Sequence, residues 1–159
     1  MTLHSPAIVR PTHPSPAGGL WAAAEAGAVS AVVALVHALC GPPPQLTPLL
    51  AAAADFFCTA ASEPAAREPL AEAGAVEGCS TMLLAASGSS PQHAEIGLEI
   101  TVRSLLALGM LVGGEGAEGR RARLAAVAGV GERLRLLSAG SSDADVKQLA
   151  AELAAALMN

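Results

Sequence analysis

Clusters of glycine and proline cut this chain into short pieces and limit it to elements of about ten to twenty residues. They fall at 11–19, 41–44, 62–64, 87–91, 113–119 and 140–143, where backbone freedom or a missing amide interrupts regular structure. The stretches between them carry apolar residues at helical spacing, as in Ile96, Ile100, Leu106 and Met110, or Val146, Leu149, Leu153 and Leu157. Each reads as an amphipathic helix. Asp143 and Asp145 precede the last stretch, where a capping side chain and a first-turn acid stabilise free amides, so a helix is expected over about 144–158.

Composition supports the same class. The 159 residues include 37 Ala and 22 Leu, strong helix formers, and only 2% aromatics, which a β-sandwich needs as filler. With 52% apolar and 14% charged residues, the chain is the reverse of a disordered one, and one domain fits its length. An all-α fold is expected over 19–159, after an extended Pro-rich tail over 1–18.

Several function classes are excluded or weakened. The net charge of −5 and the scarcity of rings argue against nucleic acid, which needs a basic groove and stacking platforms. The charge-poor stretch from Ala26 to Asp55 has an apolar part, 31–40, far shorter than the ~20 residues of a bilayer span, and prolines 42–44 end it. Cys40, Cys58 and Cys79 form no CxxC pair, and the four histidines lack ligand spacing, so no disulfide framework or metal site is expected. Gly114 to Gly119 satisfies GxGxxG, but a helical stretch precedes it where a strand is required, and Glu115 and Glu118 would face the pyrophosphate. It reads as an inserted loop. No catalytic motif is present, and no enzyme activity, cofactor or small-molecule substrate is expected.

Internal repetition organises the helices. Glu25-Ala26-Gly27-Ala28-Val29 recurs as Glu72-Ala73-Gly74-Ala75-Val76, and in degenerate form as Val127-Ala128-Gly129-Val130-Gly131. After each glycine comes an apolar stripe, for example Val76, Cys79, Met82 and Leu83, or Val130, Leu134, Leu136 and Leu137. A turn and a longer helix then follow.

A short helix, a glycine turn, a second helix and a longer third one resemble the armadillo repeat. The resemblance covers most of 18–158 and implies a right-handed α-solenoid of about three repeats, roughly 19–62, 63–112 and 120–158. Gly27, Gly74 and Gly129 match the family's glycine between first and second helices. The family's shape implies a non-enzymatic interaction or scaffold subunit whose partners are other protein subunits of an assembly. Its known settings imply a cytoplasmic place, cytoskeletal or axonemal assemblies included. In peptide-binding members an asparagine ladder on the third helices holds an extended peptide. Phe56, Ala107 and Ala156 occupy those positions here, which favours docking through apolar helix faces. A small helical bundle in a membrane or organelle complex is the alternative.

Charge is uneven along the chain. Residues 1–119 carry three bases against ten acids, and residues 120–159 carry six bases against four. Arg120, Arg121, Arg123, Arg133 and Arg135 therefore read as a basic patch that docks an acidic protein surface, or as a solvated face that complements nearby helix C-termini.

Overall fold

The structure is a computed structural model that describes the backbone from Pro16 to Asn159 and the side chains from Gly27 onward. It holds α1 (Pro16–Leu39), α2 (Pro48–Ala61), α3 (Arg67–Glu72), α4 (Ala75–Ala85), α5 (Ala94–Val112), α6 (Glu118–Ala126), α7 (Val130–Gly140) and α8 (Ala144–Met158), with no strand among the described residues. The all-α expectation holds. Of the expected tail, residues 1–15 lie outside the described residues, and 16–18 already belong to α1.

Local chemistry explains the helix starts that the sequence marks most clearly. Thr47 caps α2 by accepting from the Leu50 amide, with Pro48 in the first turn, where a missing N–H costs nothing. Asp143 Oδ1 accepts from the amides of Asp145 and Val146, both at 3.0 Å, and α8 begins at Ala144 as expected.

Two of the three repeat glycines make the turn expected of them. Gly74 and Gly129 adopt φ of 94° and 87°, and each is followed by an eleven-residue helix. A side chain is strained in that left-handed region. Gly27 makes no turn, because α1 runs unbroken through it. The surrounding alanines supply enough helix propensity to outweigh one glycine, which costs about 1 kcal/mol.

The helices pack in two rows. α4 lies between α1 and α7, α5 lies between α2 and α8, and α4 packs against α5. The core runs through this junction, with Val76, Cys79, Met82 and Leu83 of α4 and Ile100, Leu105, Leu108 and Leu111 of α5 all fully buried. Phe57 of α2 is also fully buried, and a Cβ at Gly78 would touch its ring at 3.7 Å. The buried face of α5 differs from the expected one: Ile100 is inside, but Ile96 and Met110 are half-buried and Leu106 is exposed. Gly97, Ser104 and Thr101 take part of the inner face, small enough for neighbouring helices to approach.

Gly129→Ala is expected to destabilise the protein by about 1–2 kcal/mol through backbone strain. Gly27→Ala is expected to stabilise it by about 0.5–1 kcal/mol, since Gly27 sits in a helix with open space beside it. Urea unfolding followed by circular dichroism checks both signs.

Candidate functional site

The five arginines do not form one open patch. α6 turns Arg120, Arg121 and Arg123 toward the ends of earlier helices. Arg120 is only 6% exposed; its Nε donates to the Leu111 carbonyl, and its guanidinium also meets Glu68 and the Gly113 carbonyl. Arg121 donates to the Val112 carbonyl at 3.2 Å, and Arg123 donates to the Ala71 carbonyl at 2.8 Å while lying 3.6 Å from Glu77. The last carbonyls of a helix lack internal partners, and cations there satisfy them and oppose the dipole. Arg133 is half-buried with its Nε unpartnered, and burial lowers its pKa. Arg135 is exposed and holds Glu132 at 2.7 and 2.9 Å, a contact that raises the pKa of Arg135 and lowers that of Glu132. The patch is thus corrected at Arg120, which is an interior group, whereas Arg121 and Arg123 meet the ends of α5 and α3 as the helix-complementing reading expects, and Arg123 and Arg135 stay exposed.

A concave feature lies elsewhere, between the N-terminal halves of α2 and α5, with a volume of about 690 Å³. Ala51, Ala52 and Asp55 form the α2 wall, and Glu95, Ile96 and Glu99 form the α5 wall. Arg103 bridges the two, since its guanidinium pairs with Asp55 across the groove and with Glu99 one turn back at 3.2 Å. These side chains stay substantially exposed, Asp55 at 55% and Glu99 at 48%, so the bridge is solvated and adds little stability. Beside it on the outer face of α5 run Leu98, Val102 and Leu106, exposed at 44% and 38% for the two leucines. A cavity of about 160 Å³ between α5 and α8 is lined by Leu105, Gly109 and Leu153.

Sequence reasoning passed over this groove. Its signal was present on α5, where Glu95, Glu99 and Arg103 recur every fourth residue beside Leu98, Val102 and Leu106. Only the packing of α2 identifies the first series as a groove wall. Of the ladder positions, Ala107 is fully buried, while Phe56 and Ala156 are half-buried, and Phe56 meets Phe57 edge-on at 5.5 Å.

Other candidate chemistry stays dispersed. Ser90 Oγ and His93 Nδ1 lie 2.9 Å apart on the exposed turn before α5, and among the described residues the His93 ring has no second hydrogen-bond partner that would orient it as a base. The three thiols are free. Burial pushes Cys40 up to about 11, raises Cys79 further, and raises Cys58 with help from Asp55, so all three are poor nucleophiles. No group of three His, Cys, Asp or Glu among the described residues is placed to hold a metal. The 114–119 glycine segment follows helix α5 and not a strand. Comparison with protein-family models, curated proteins and solved structures finds no match.

Arg120→Ala would strand the carbonyls of Leu111 and Gly113 and release Glu68. A loss of about 2–3 kcal/mol is expected in urea unfolding. Arg135→Ala should leave the melting temperature unchanged, because only a neighbouring exposed carboxylate is lost.

Proposed function

We propose that this chain is a non-enzymatic protein–protein interaction or scaffold subunit, built as an armadillo-like right-handed α-solenoid of about three repeats. The repeat reading is supported by the recurrence of α3, α4 and α5 as α6, α7 and α8. The same left-handed glycine stands before the second helix of each set, at 74 and at 129. The first repeat is condensed, with α1 replacing two helices.

The observation that carries the function is the outer face of α5. Leu98 and Leu106, with half-buried Val102 between them, leave an apolar ridge at the surface of the middle helix in its row, beside a groove with charged walls. Contiguous exposed apolar surface on a folded domain marks an interaction site. Among the described residues no helix is long and apolar enough to cross a membrane, so the ridge is assigned to contact with protein subunits. A cytoskeletal or axonemal assembly is the narrower form of this reading and rests on the armadillo resemblance.

The test is sedimentation of the tagged chain from cells expressing it at native level. The wild type should travel in a complex much heavier than its own 15.7 kDa, with a partner in fixed stoichiometry. Leu98→Asp with Leu106→Asp should keep the helical spectrum and melting behaviour yet travel alone. A wild-type chain sedimenting as a free monomer would refute the scaffold reading.

A further inference from the structure

We propose that the outer face of α5 and the groove beside it seat a basic amphipathic helix of a partner protein. This rests on the protein-interaction reading above and adds the chemistry of the partner. Leu98, Val102 and Leu106 are spaced four residues apart and share one side of α5, a ridge about 12 Å long. A partner helix lying along that ridge would set its own apolar side chains, one turn apart, between these three.

Charge selects the partner's flank. Toward α2 the ridge is bordered by Glu95 and Glu99 of α5 and by Asp55 of α2, and the one base among them is Arg103. With His93 neutral, this border carries a net charge of −2. Glu95 is exposed and makes no hydrogen bond or ion pair among the described residues. Asp55 and Glu99 already receive a guanidinium, that of Arg103, through a solvated bridge that contributes little to folding. An incoming arginine therefore competes with Arg103 for the same two carboxylates at small cost. Ala51 and Ala52 keep the α2 wall low, which leaves the groove of about 690 Å³ for long basic side chains.

The backbone of the partner argues for a helix over an extended segment. An extended segment brings unpaired amides and carbonyls that must find partners when covered. Along the ridge itself Leu98, Val102 and Leu106 offer no side-chain donor or acceptor, and the polar groups stand only on its border. A helix carries its own hydrogen bonds and needs none from that surface.

Fluorescence anisotropy with the purified full chain tests this, using a labelled helical peptide with leucines on one face and arginines along one flank. Three comparison peptides replace arginine by glutamate, leucine by serine, or a central residue by proline. The wild type should bind the arginine peptide about tenfold or more tightly than each comparison peptide, and the affinity should fall with added salt. Asp55→Asn with Glu99→Gln should weaken binding about tenfold. Arg103→Ala should tighten it about threefold or more by removing the internal competitor. Arg135→Ala, distant in sequence and outside the groove, should change nothing. Equal binding of the glutamate or the proline peptide, or weaker binding by Arg103→Ala with its helical spectrum and melting intact, would overturn the proposal. If no peptide binds while the sedimenting complex still depends on Leu98 and Leu106, the basic-helix assignment fails and the interaction reading stands.

Discussion

The two-row arrangement depends on two glycines in the left-handed region, which reverse the chain into α4 and α7. A Cβ at Gly74 would lie 3.5 Å from Val33 of α1, and one at Gly129 would lie 3.6 Å from Leu84 of α4. In both cases a left-handed glycine before a second helix abuts an apolar residue of the helix that precedes it in the same row. The residue that reverses the chain is thus also a point of contact between neighbours. Gly78 extends the contact one turn into α4, where Phe57 and Val33 close over it. Val76, Cys79 and Met82, on the helix that follows Gly74, are completely buried.

A second problem arises where α5 stops. Its terminal carbonyls at Leu111, Val112 and Gly113 would be left without partners beside the 113–117 segment, and the arginines of α6 fill that need. Because Arg120 also reaches Glu68 and Arg123 reaches Ala71, both in α3, one short helix fastens α3 to the end of α5. The basic bias of the C-terminal part of the chain therefore has an internal cause. Arg123 and Arg135 remain exposed.

What the sequence made legible followed the range of the interactions involved. The α8 start was readable because its cap, Asp143, lies within three residues of the amides it satisfies. The buried stripe of α4 was readable because Val76, Cys79, Met82 and Leu83 all face inward from a helix packed on several sides. Gly27 was misread because an identical pentapeptide around Gly74 makes a turn, whereas the alanines flanking Gly27 sustain a helix. Leu106 was misread because spacing cannot tell an inner face from an apolar outer one. Arg120 was misread because its acceptors are main-chain carbonyls nine and seven residues away and a carboxylate fifty-two residues away.

Beyond its Val33 contact, the long first helix contributes few buried side chains among the described residues. Among its described side chains only Val29 and Val36 are fully buried, and most of the others face outward. Among the described residues its contacts are chiefly with α2, α3 and α4. Peeling α1 off would uncover Gly74 and Gly78 while the α4–α5–α8 junction kept its own apolar contacts. The molecule is therefore divided into a durable interior and a detachable margin, and amide protons in α1 would exchange through a partial opening long before those of α5.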